Sequence, residues 1–469
     1  MRKICFFLAI SAAFTLQLAA QNTDIESLSG LQFNFGNPGA RSLGMGGAFL
    51  GLADDASAAE ANPAGLTILR RPEVSLEVRN YQEQQLFTTS GTFPNLTRTA
   101  FSHYSQRVEP TFFSFVYPIK KGTLGFYIHE PLRNEGSGQV VPERNTFTGA
   151  IKTNVPNFYL PKNGPAPVSK ADCEAMRRST GDFFSCLEYT ILPFLSALTV
   201  QERTFGVAGA YKIGKVSVGG TVRYHRFNEA AFTFRVTPTF DFSSISVQTT
   251  SDVTDQNSKV KDKTAWTFAG GVKWEPNDKF SVGAVYKQGA KFVARTFAAN
   301  ADTKFEFVDV AKSEGLPPTT FHIPDVYGIG VSVSPIPVLK INADAVHITY
   351  SNLVDKFVSI NEDIRAIDKA YKASDVTEFH VGAEYFFFLS KLPVALRGGV
   401  WRDPDHAIEY RGPLNVPDAV AAAILYPKGT NQNHVSIGAG LAWPKFQVDA
   451  AYDRSAHYKV GSISVIRRF

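Results

Sequence analysis

The sequence predicts an all-β chain: a 14-stranded antiparallel transmembrane β-barrel with an N-terminal hatch, or plug, inside the lumen. Polar and apolar residues alternate with period two along most of its length. The connections between alternating runs are short and long in turn, and a small-residue segment, GARSLGMGGAFLGLADDASAAEANPAGL at 39–66, precedes the first run. That segment is too rich in small residues for a membrane strand and too apolar for a solvated tail. A plug within a barrel implies a gated passage.

Residues 1–20 read as a signal peptide. Arg2 and Lys3 give the charged start, Ile4–Leu18 the apolar core, and Leu18-Ala19-Ala20 a small-residue cleavage site. The hatch is then expected over 21–71 and the barrel with long extracellular loops over 72–469. Of the three cysteines, Cys5 leaves with the signal. Cys173 and Cys186 face an oxidising compartment and are expected to close a short disulfide loop, worth roughly 3 kcal/mol at most.

The formal charge of +5 falls to +3 without Arg2 and Lys3, too small a surplus to argue for nucleic acid. No apolar run of about 20 residues follows the signal, so no membrane helix is expected. A barrel strand crosses with about ten alternating residues.

Fourteen strands are expected near 72–90, 109–119, 122–133, 201–213, 215–232, 259–274, 278–298, 322–334, 338–351, 375–389, 392–404, 433–443, 445–454 and 456–469. Val435, Ile437, Ala439 and Leu441 against Ser436, Gly438 and Gly440 show the pattern at its clearest. Alternation describes any half-buried strand, and the connections decide which kind this is. Tight turns fall at Lys120–Gly122, Gly214, Glu275–Asp278, Pro335–Pro337, Ser390–Lys391 and Pro444. Long loops fall at 91–108, 134–200, 233–258, 299–321, 352–374 and 405–432, and only 453–456 breaks the order. One rim carries the short turns, as in outer-membrane barrels. Trp274, Tyr385–Phe388, Trp443 and the terminal Phe469 sit beside short turns, as an interfacial aromatic girdle would.

Within the hatch, Gly44, Gly46, Gly47 and Gly51 permit positive φ and close backbone approach. Pro63 removes a donor, and Asn62 can mimic a turn and tie the plug to the wall. A plug held by few polar bonds could act as a gate. In the outer loops, Ile191–Leu198, with Phe194 and Leu195, and Ala419–Leu425 are apolar stretches that form either a ligand groove or a rigid cap.

These residues resemble the FadL/TodX family of outer-membrane transporters of long-chain fatty acids and aromatic hydrocarbons. The likeness rests on Asn62-Pro63-Ala64 in the hatch, on Ile323–Gly330 (IPDVYGIG), Phe379–Tyr385 (FHVGAEY), Ala395–Gly399 (ALRGG) and Val435–Gly440 (VSIGAG). It implies uptake of a hydrophobic compound, with Gly44, Gly46, Gly47, Asn62, Pro63 and Ala64 as the gate. It also implies a lateral exit at a kinked third strand, where Pro131 cannot donate to its neighbour. A fatty-acid carboxylate would want a lumenal cation. Strand parity turns Arg223, Lys287 and Arg397 inward, and Arg223 and Arg397, with Phe194 and Leu195, are the expected substrate contacts. Lumenal carboxylates such as Glu384 and Asp344 could instead match these cations. The run Gly39–Phe49 also resembles a related branch of secretion-system shuttles, which keeps a partner-binding barrel as the alternative.

No Gly-x-Ser-x-Gly elbow, Walker loop or His-Glu-x-x-His run occurs. An enzyme is therefore not expected, an outer-membrane esterase being the remote alternative, and neither cofactor nor metal is called for. Asp54-Asp55 reads as a turn or helix start. The expected setting is a monomer in the outer membrane of a Gram-negative bacterium, partnered by outer-membrane lipid, hydrophobic small molecules and the barrel-assembly machinery, not by nucleic acid.

Overall fold

The computed structural model describes residues 33, 35–88, 100–139, 143–144, 151–152, 157–190, 194–237, 252–253, 256–294, 297–299, 307–309, 319–354, 370–416, 419–420, 423, 428–456 and 458–469. The signal segment, residues 21–32 and Ile191–Pro193 lie outside them.

Fourteen long strands form one antiparallel ring: β1 (Glu73–Thr88), β2 (Ala100–Ile119), β3 (Gly122–Gln139), β4 (Phe194–Ile213), β5 (Val216–Thr237), β6 (Gln256–Asn277), β7 (Phe280–Lys287), β8 (Val326–Ile336), β9 (Leu339–Ile348), β10 (Val376–Leu389), β11 (Leu392–Asp403), β12 (Gln432–Ala442), β13 (Phe446–Arg454) and β14 (Tyr458–Arg468). The ring closes because β1 pairs with β14, from Glu73 opposite Arg468 to Glu83 opposite Tyr458. Closure removes the outer edges that an open sheet would expose to hydrocarbon, and only beyond the Phe112–His129 rung do β2 and β3 part among the described residues.

The faces are inverted relative to a soluble barrel. On β14, Ile463 and Val465 are exposed while Ser462 and Ser464 are buried, and Ile437 on β12 is 62% exposed beside buried Ser436. Apolar side chains face outward and polar ones line the bore, as a lipid-facing wall requires. Trp274 and Trp266 both point outward on β6, eight residues and so about 26 Å of strand apart. Trp274, Tyr385, Phe388, Trp443 and Phe469 mark the short-turn rim, and Trp266, its ring tilted against Tyr224 at 4.9 Å, belongs to the opposite belt.

Several hairpins run further outward than alternation alone suggested. β2 begins at Ala100 rather than 109, and β4 at Phe194 rather than 201. Phe194 and Leu195, expected in a loop, are paired with Arg235 and Phe234 of β5; their side chains lie outside the described residues. Pairing continues above the bilayer because water-exposed strands need no apolar face. β7 instead ends at Lys287, short of the expected 298. There Gly289 lies so close to the Ile323 carbonyl that a Cβ would collide with it, and a separate hairpin, Lys291–Ala294 with Thr319–His322, continues outward.

Between β3 and β4 a small excursion forms its own unit. The strands Asn157–Pro161 and Cys186–Thr190 pair, helix Lys170–Thr180 packs beside them, and Cys173 bonds Cys186 with Cα atoms 5.4 Å apart. Ser169 caps the helix start and Gly181, at φ 66°, ends it.

Candidate functional site: the hatch and the lumen above it

Residues 37–69 touch every strand of the ring. Arg79 of β1 donates to Asn37 O, Ser114 of β2 to Ala56 O, Ser281 of β7 to Gly51 O, and Ser464 of β14 accepts from Ala40 N. Helix Ala40–Gly44 packs on β11–β14, and the 3-10 turn Pro63–Ile68 on β2–β6. The loop between them meets β7–β11 at Gly283, Gly328, Asp344, Gly382 and Gly399. Only a segment within the bore can do this.

Close approach decides where glycine is needed. A Cβ at Gly382 or Gly399 of the wall would collide with Met45, one at Gly283 with Leu50 O, and one at Gly271 with the Asn62 side chain. In the hatch, Gly46 and Gly47 take the left-handed region, at φ 64° and 79°, whereas Gly44 is helical and serves by lying against Gly438. The Asn62 side chain accepts from Ala64 N at 3.2 Å and donates to Leu50 O at 3.2 Å and Val272 O at 3.3 Å. Pro63 opens the following turn, and Ala64 is fully buried.

The hatch is not held by few polar bonds, contrary to expectation. Arg41 donates to both oxygens of Glu384 at 2.8 and 2.9 Å and also meets Asp54 and Asp55. Lys340 reaches Asp54 at 2.8 Å, Asp344 accepts Phe49 N at 2.6 Å and Leu50 N at 2.8 Å, and Lys273 donates to Leu52 O at 2.6 Å. Burial penalises an ionised Asp54, yet Arg41 and Lys340 outweigh it and hold the carboxyl far below the usual range. Burial pushes Asp55 the other way. A buried network of this kind fixes one arrangement, and breaking it leaves charge without a partner.

Arg397 belongs to that network. It contacts Glu384 at 2.7 Å and Asp449 at 2.8 Å, so this expected substrate contact is committed to the wall's own carboxylates. Arg223 is placed differently. With Lys287 and His129 it surrounds Glu60 of the hatch, at 3.7, 3.1 and 3.8 Å from one carboxylate oxygen. Burial alone would raise the Glu60 pKa, but Lys287, Arg223 and His129 bring it well below the ordinary value. A cavity of about 20 Å³, lined by Glu60, His129, Pro131, Arg223 and Lys287 among others, opens beside this cluster. Such a volume holds about one water molecule. Nothing in the sequence pattern singled out Glu60, which reads there as one acid in an alanine run.

Above the hatch an apolar cluster fills part of the lumen. Leu50, Val285, Phe227, Phe292, Ile323 and Ile348 belong to one buried cluster, which continues outward through Leu353, Tyr371, Ala419 and Ala423. Ala419, Val420 and Ala423 are buried, so the described part of the 419–425 stretch packs as a cap. Phe35 stands in the bore with its ring 6.0 Å from Tyr350, and Tyr350 stacks at 4.0 Å on His406.

Pro131 lies where the wall divides. β2 and β3 pair only from Ile119 opposite Gly122 to Phe112 opposite His129. Beyond that rung β2 stays with β1 and β3 with β4. Each strand carries an irregularity at the division: the β1–β2 register shifts next to Thr111 and Pro110, and the β3–β4 register shifts at Glu130 and Pro131. Two prolines without N–H groups and two bulges account for the lost ladder.

A hydrogen-bonded row, Thr267 to His225 at 2.7 Å and His225 to Glu202 at 2.6 Å, crosses β6, β5 and β4. Glu202 and His225 line the cavity, and Thr267 does not. Asp54 and Asp55 are matched by Arg41 and Lys340, and among the described residues no group of side chains has the arrangement of a metal site.

Three solved structures share this architecture. A Pseudomonas aeruginosa FadL homologue superposes with a TM-score of 0.57 at 15% identity, covering 93% of this chain and 99% of its own. The Ralstonia pickettii toluene transporter TbuX gives 0.51 at 16% identity over 93% and 99%. The P. putida toluene transporter TodX gives 0.51 at 13% identity over 92% and 99%. No curated protein sequence matches significantly. At these identities the structures establish the fold alone, but residues 195–464, more than half of the chain, match the family described as outer membrane protein transport protein (OMPP1/FadL/TodX). A closed barrel with lipid-facing apolar strands, filled by its own N-terminal segment and matched over most of its wall by that family, belongs to the OMPP1/FadL/TodX outer-membrane transport proteins.

Proposed function

We propose that the protein takes up hydrophobic compounds, such as long-chain fatty acids or aromatic hydrocarbons, from outside the cell into the outer membrane. The observation that carries this reading is the apolar cluster running from Ala419 and Ala423 of the outer loops down to Leu50 of the hatch. A water channel has no use for such a lining, whereas an apolar solute gains by each contact. The likeness to toluene transporters supports the same class of cargo.

Exit is lateral in this reading. His129 stands seven residues into β3, about 23 Å along the strand, so the division between β2 and β3 opens while still within the membrane's apolar band. Gly44, Gly46, Gly47, Asn62, Pro63 and Ala64 then work as a seat that blocks the direct route to the periplasm, and Pro131 marks the side door. Arg223 is the lumenal cation placed to meet a polar head.

Native mass spectrometry of the detergent-extracted protein tests the cargo. Lipid or hydrocarbon adducts that survive mild activation and leave at higher energy are expected; an empty barrel in repeated preparations counts against uptake. The shuttle alternative draws on the outward excursion at 157–190, where Phe183 and Phe184 are exposed. If deleting the gene abolished secretion and left growth on fatty acids and hydrocarbons unchanged, the shuttle would replace uptake.

A further inference from the structure

The hairpin of β13 and β14 has no long outer loop. Residues 455–457 alone join the two strands, while the shortest of the other outer connections spans 89–99. Ser455 N donates to Tyr458 O at 2.8 Å and Ser455 Oγ accepts from Tyr458 N at 3.2 Å, which holds the turn tight. The outward face of this hairpin therefore reaches the headgroup level without a loop of its own above it.

That part of the wall ends in three cations. Arg402 of β11 and Arg454 of β13 are exposed, and Lys459 of β14 is half-buried. All three lie on the outward face, in step with exposed Val400, Tyr452 and Ile463. Arg454 stands directly opposite Lys459, and Arg402 opposite Asn433 of β12. Like charges facing each other across a ladder are destabilising. The neighbouring acids give no relief, because Asp453 turns inward to His434 at 2.6 Å and Asp403 to His406 at 3.2 Å. Among the described residues no carboxylate pairs with any of the three cations.

Height and spacing indicate what anion relieves them. Arg454 stands eight residues from Phe446 at the short-turn rim, about 26 Å of strand, the same run that separates Trp274 from Trp266. Below it, exposed Val435, Ile437, Tyr452 and Ile463 present an apolar surface. An anion held at this level above a lipid-facing wall is a lipid headgroup, with its acyl chains on that surface. Arg402 lies two strands from Arg454 and one same-face position further out, about 12 Å between Cα atoms.

We propose that this surface docks one outer-leaflet glycolipid with a diphosphorylated disaccharide headgroup. One phosphate bridges Arg454 and Lys459, the other meets Arg402 and Asn433, and the acyl chains lie along Ile437 and Ile463. Phosphate suits these side chains because several of its oxygens accept charge-assisted hydrogen bonds at once. A lipid with a single phosphate engages one end of the site and leaves the other unmet. The inference concerns how the barrel is seated in the outer leaflet, and it stands whatever the bore carries.

The test titrates the full-length protein in detergent with diphosphoryl lipid A and with monophosphoryl lipid A of the same acyl chains, read by native mass spectrometry. One diphosphoryl lipid is expected to bind the parent, about fivefold more tightly than the monophosphoryl form. Arg402→Gln should bring the two affinities together. Arg454→Gln combined with Lys459→Gln should weaken the diphosphoryl lipid about 25-fold. Lys391→Gln, which removes an exposed cation at the opposite rim, should change neither affinity. Lipid-free melting of the double variant is expected to match or exceed that of the parent, since the facing charges are gone, so weaker binding cannot be ascribed to unfolding. Equal affinity for the two lipids in the parent, or a loss in Lys391→Gln as large as in the double variant, overturns the site. Parent-like binding by the double variant overturns it as well.

Discussion

Arg41 and Glu384 form a two-pronged pair between hatch and wall, with Nε to Oε2 at 2.9 Å and Nη2 to Oε1 at 2.8 Å, and the carboxylate is wholly buried. Because the same guanidinium also meets Asp54 and Asp55, its loss weakens the pairing of three acids at once, leaving Lys340 on Asp54 and Arg397 on Glu384. Arg41→Met is therefore expected to destabilise the seated hatch by about 3–5 kcal/mol, the usual penalty for one half of a buried ion pair. Limited proteolysis of the purified protein reads this directly. Cleavage within 37–69 should appear at protease levels that leave the parent intact, and identical digestion would contradict the anchoring role.

Wall glycines make a sharper geometric case. A methyl at Gly382 runs into Met45, whereas one at Gly398 meets nothing nearer than the Ser436 carbonyl at 4.0 Å. Gly382→Ala should lower thermal stability by about 1–3 kcal/mol through overpacking, with Gly398→Ala close to the parent. Equal melting of the two variants would show that the hatch does not sit where these contacts place it.

His406 couples the outer cap to pH. Burial works against its charge, but the Asp403 carboxylate at 3.2 Å and the Pro404 carbonyl outweigh that and push its pKa up to about 9. A folded-state value above the unfolded 6.5 means the stabilisation is complete below pH 6.5 and is lost as pH rises through 9. At most about 3 kcal/mol is involved. Hydrogen exchange over 404–412, corrected for intrinsic rates, should accelerate between pH 6.5 and 9.5, and His406→Gln should abolish that dependence. A flat profile in the parent would refute the coupling.

The excursion at 157–190 depends on its own covalent tie. Cys173 and Cys186 are 13 positions apart, and a loop of that size contributes about 3 kcal/mol. Arg177 adds a hydrogen bond to Cys186 O at 2.7 Å and stacks over Phe183 at 4.3 Å. Replacing both cysteines by serine should expose helix Lys170–Thr180 to trypsin while leaving barrel melting unchanged. Resistance to trypsin in that variant would mean packing alone holds the unit.

Most of the wall was legible because a lipid-facing strand imposes its pattern locally. Ile463 and Val465 against Ser462 and Ser464 can be read without any knowledge of the partner strand. The glycines in FHVGAEY, ALRGG and VSIGAG were readable as a likeness, and the structure gives their cause: Gly382, Gly399 and Gly438 seat the hatch. Parity also turned Arg223, Lys287 and Arg397 inward. It could not divide their duties, since that depends on which hatch residue each one meets. Glu60 and Lys287 are 227 positions apart, and no local period reports such a meeting. The ends of β4 and β7 were missed for opposite reasons. Above the membrane no apolar face is required, so β4 runs on unmarked, and at Gly289 a close backbone approach stops β7 inside an alternating stretch.

In the proposed route a hydrophobic solute leaves sideways between β2 and β3. Thr111→Cys with Glu130→Cys, placed one rung beyond the Phe112–His129 pair and made in a background lacking Cys173 and Cys186, should seal that division reversibly. Uptake of labelled palmitate or hexadecane by cells producing this variant is expected to fail after oxidation and to return with dithiothreitol. Full uptake with the cross-link verified in place would contradict a lateral exit there.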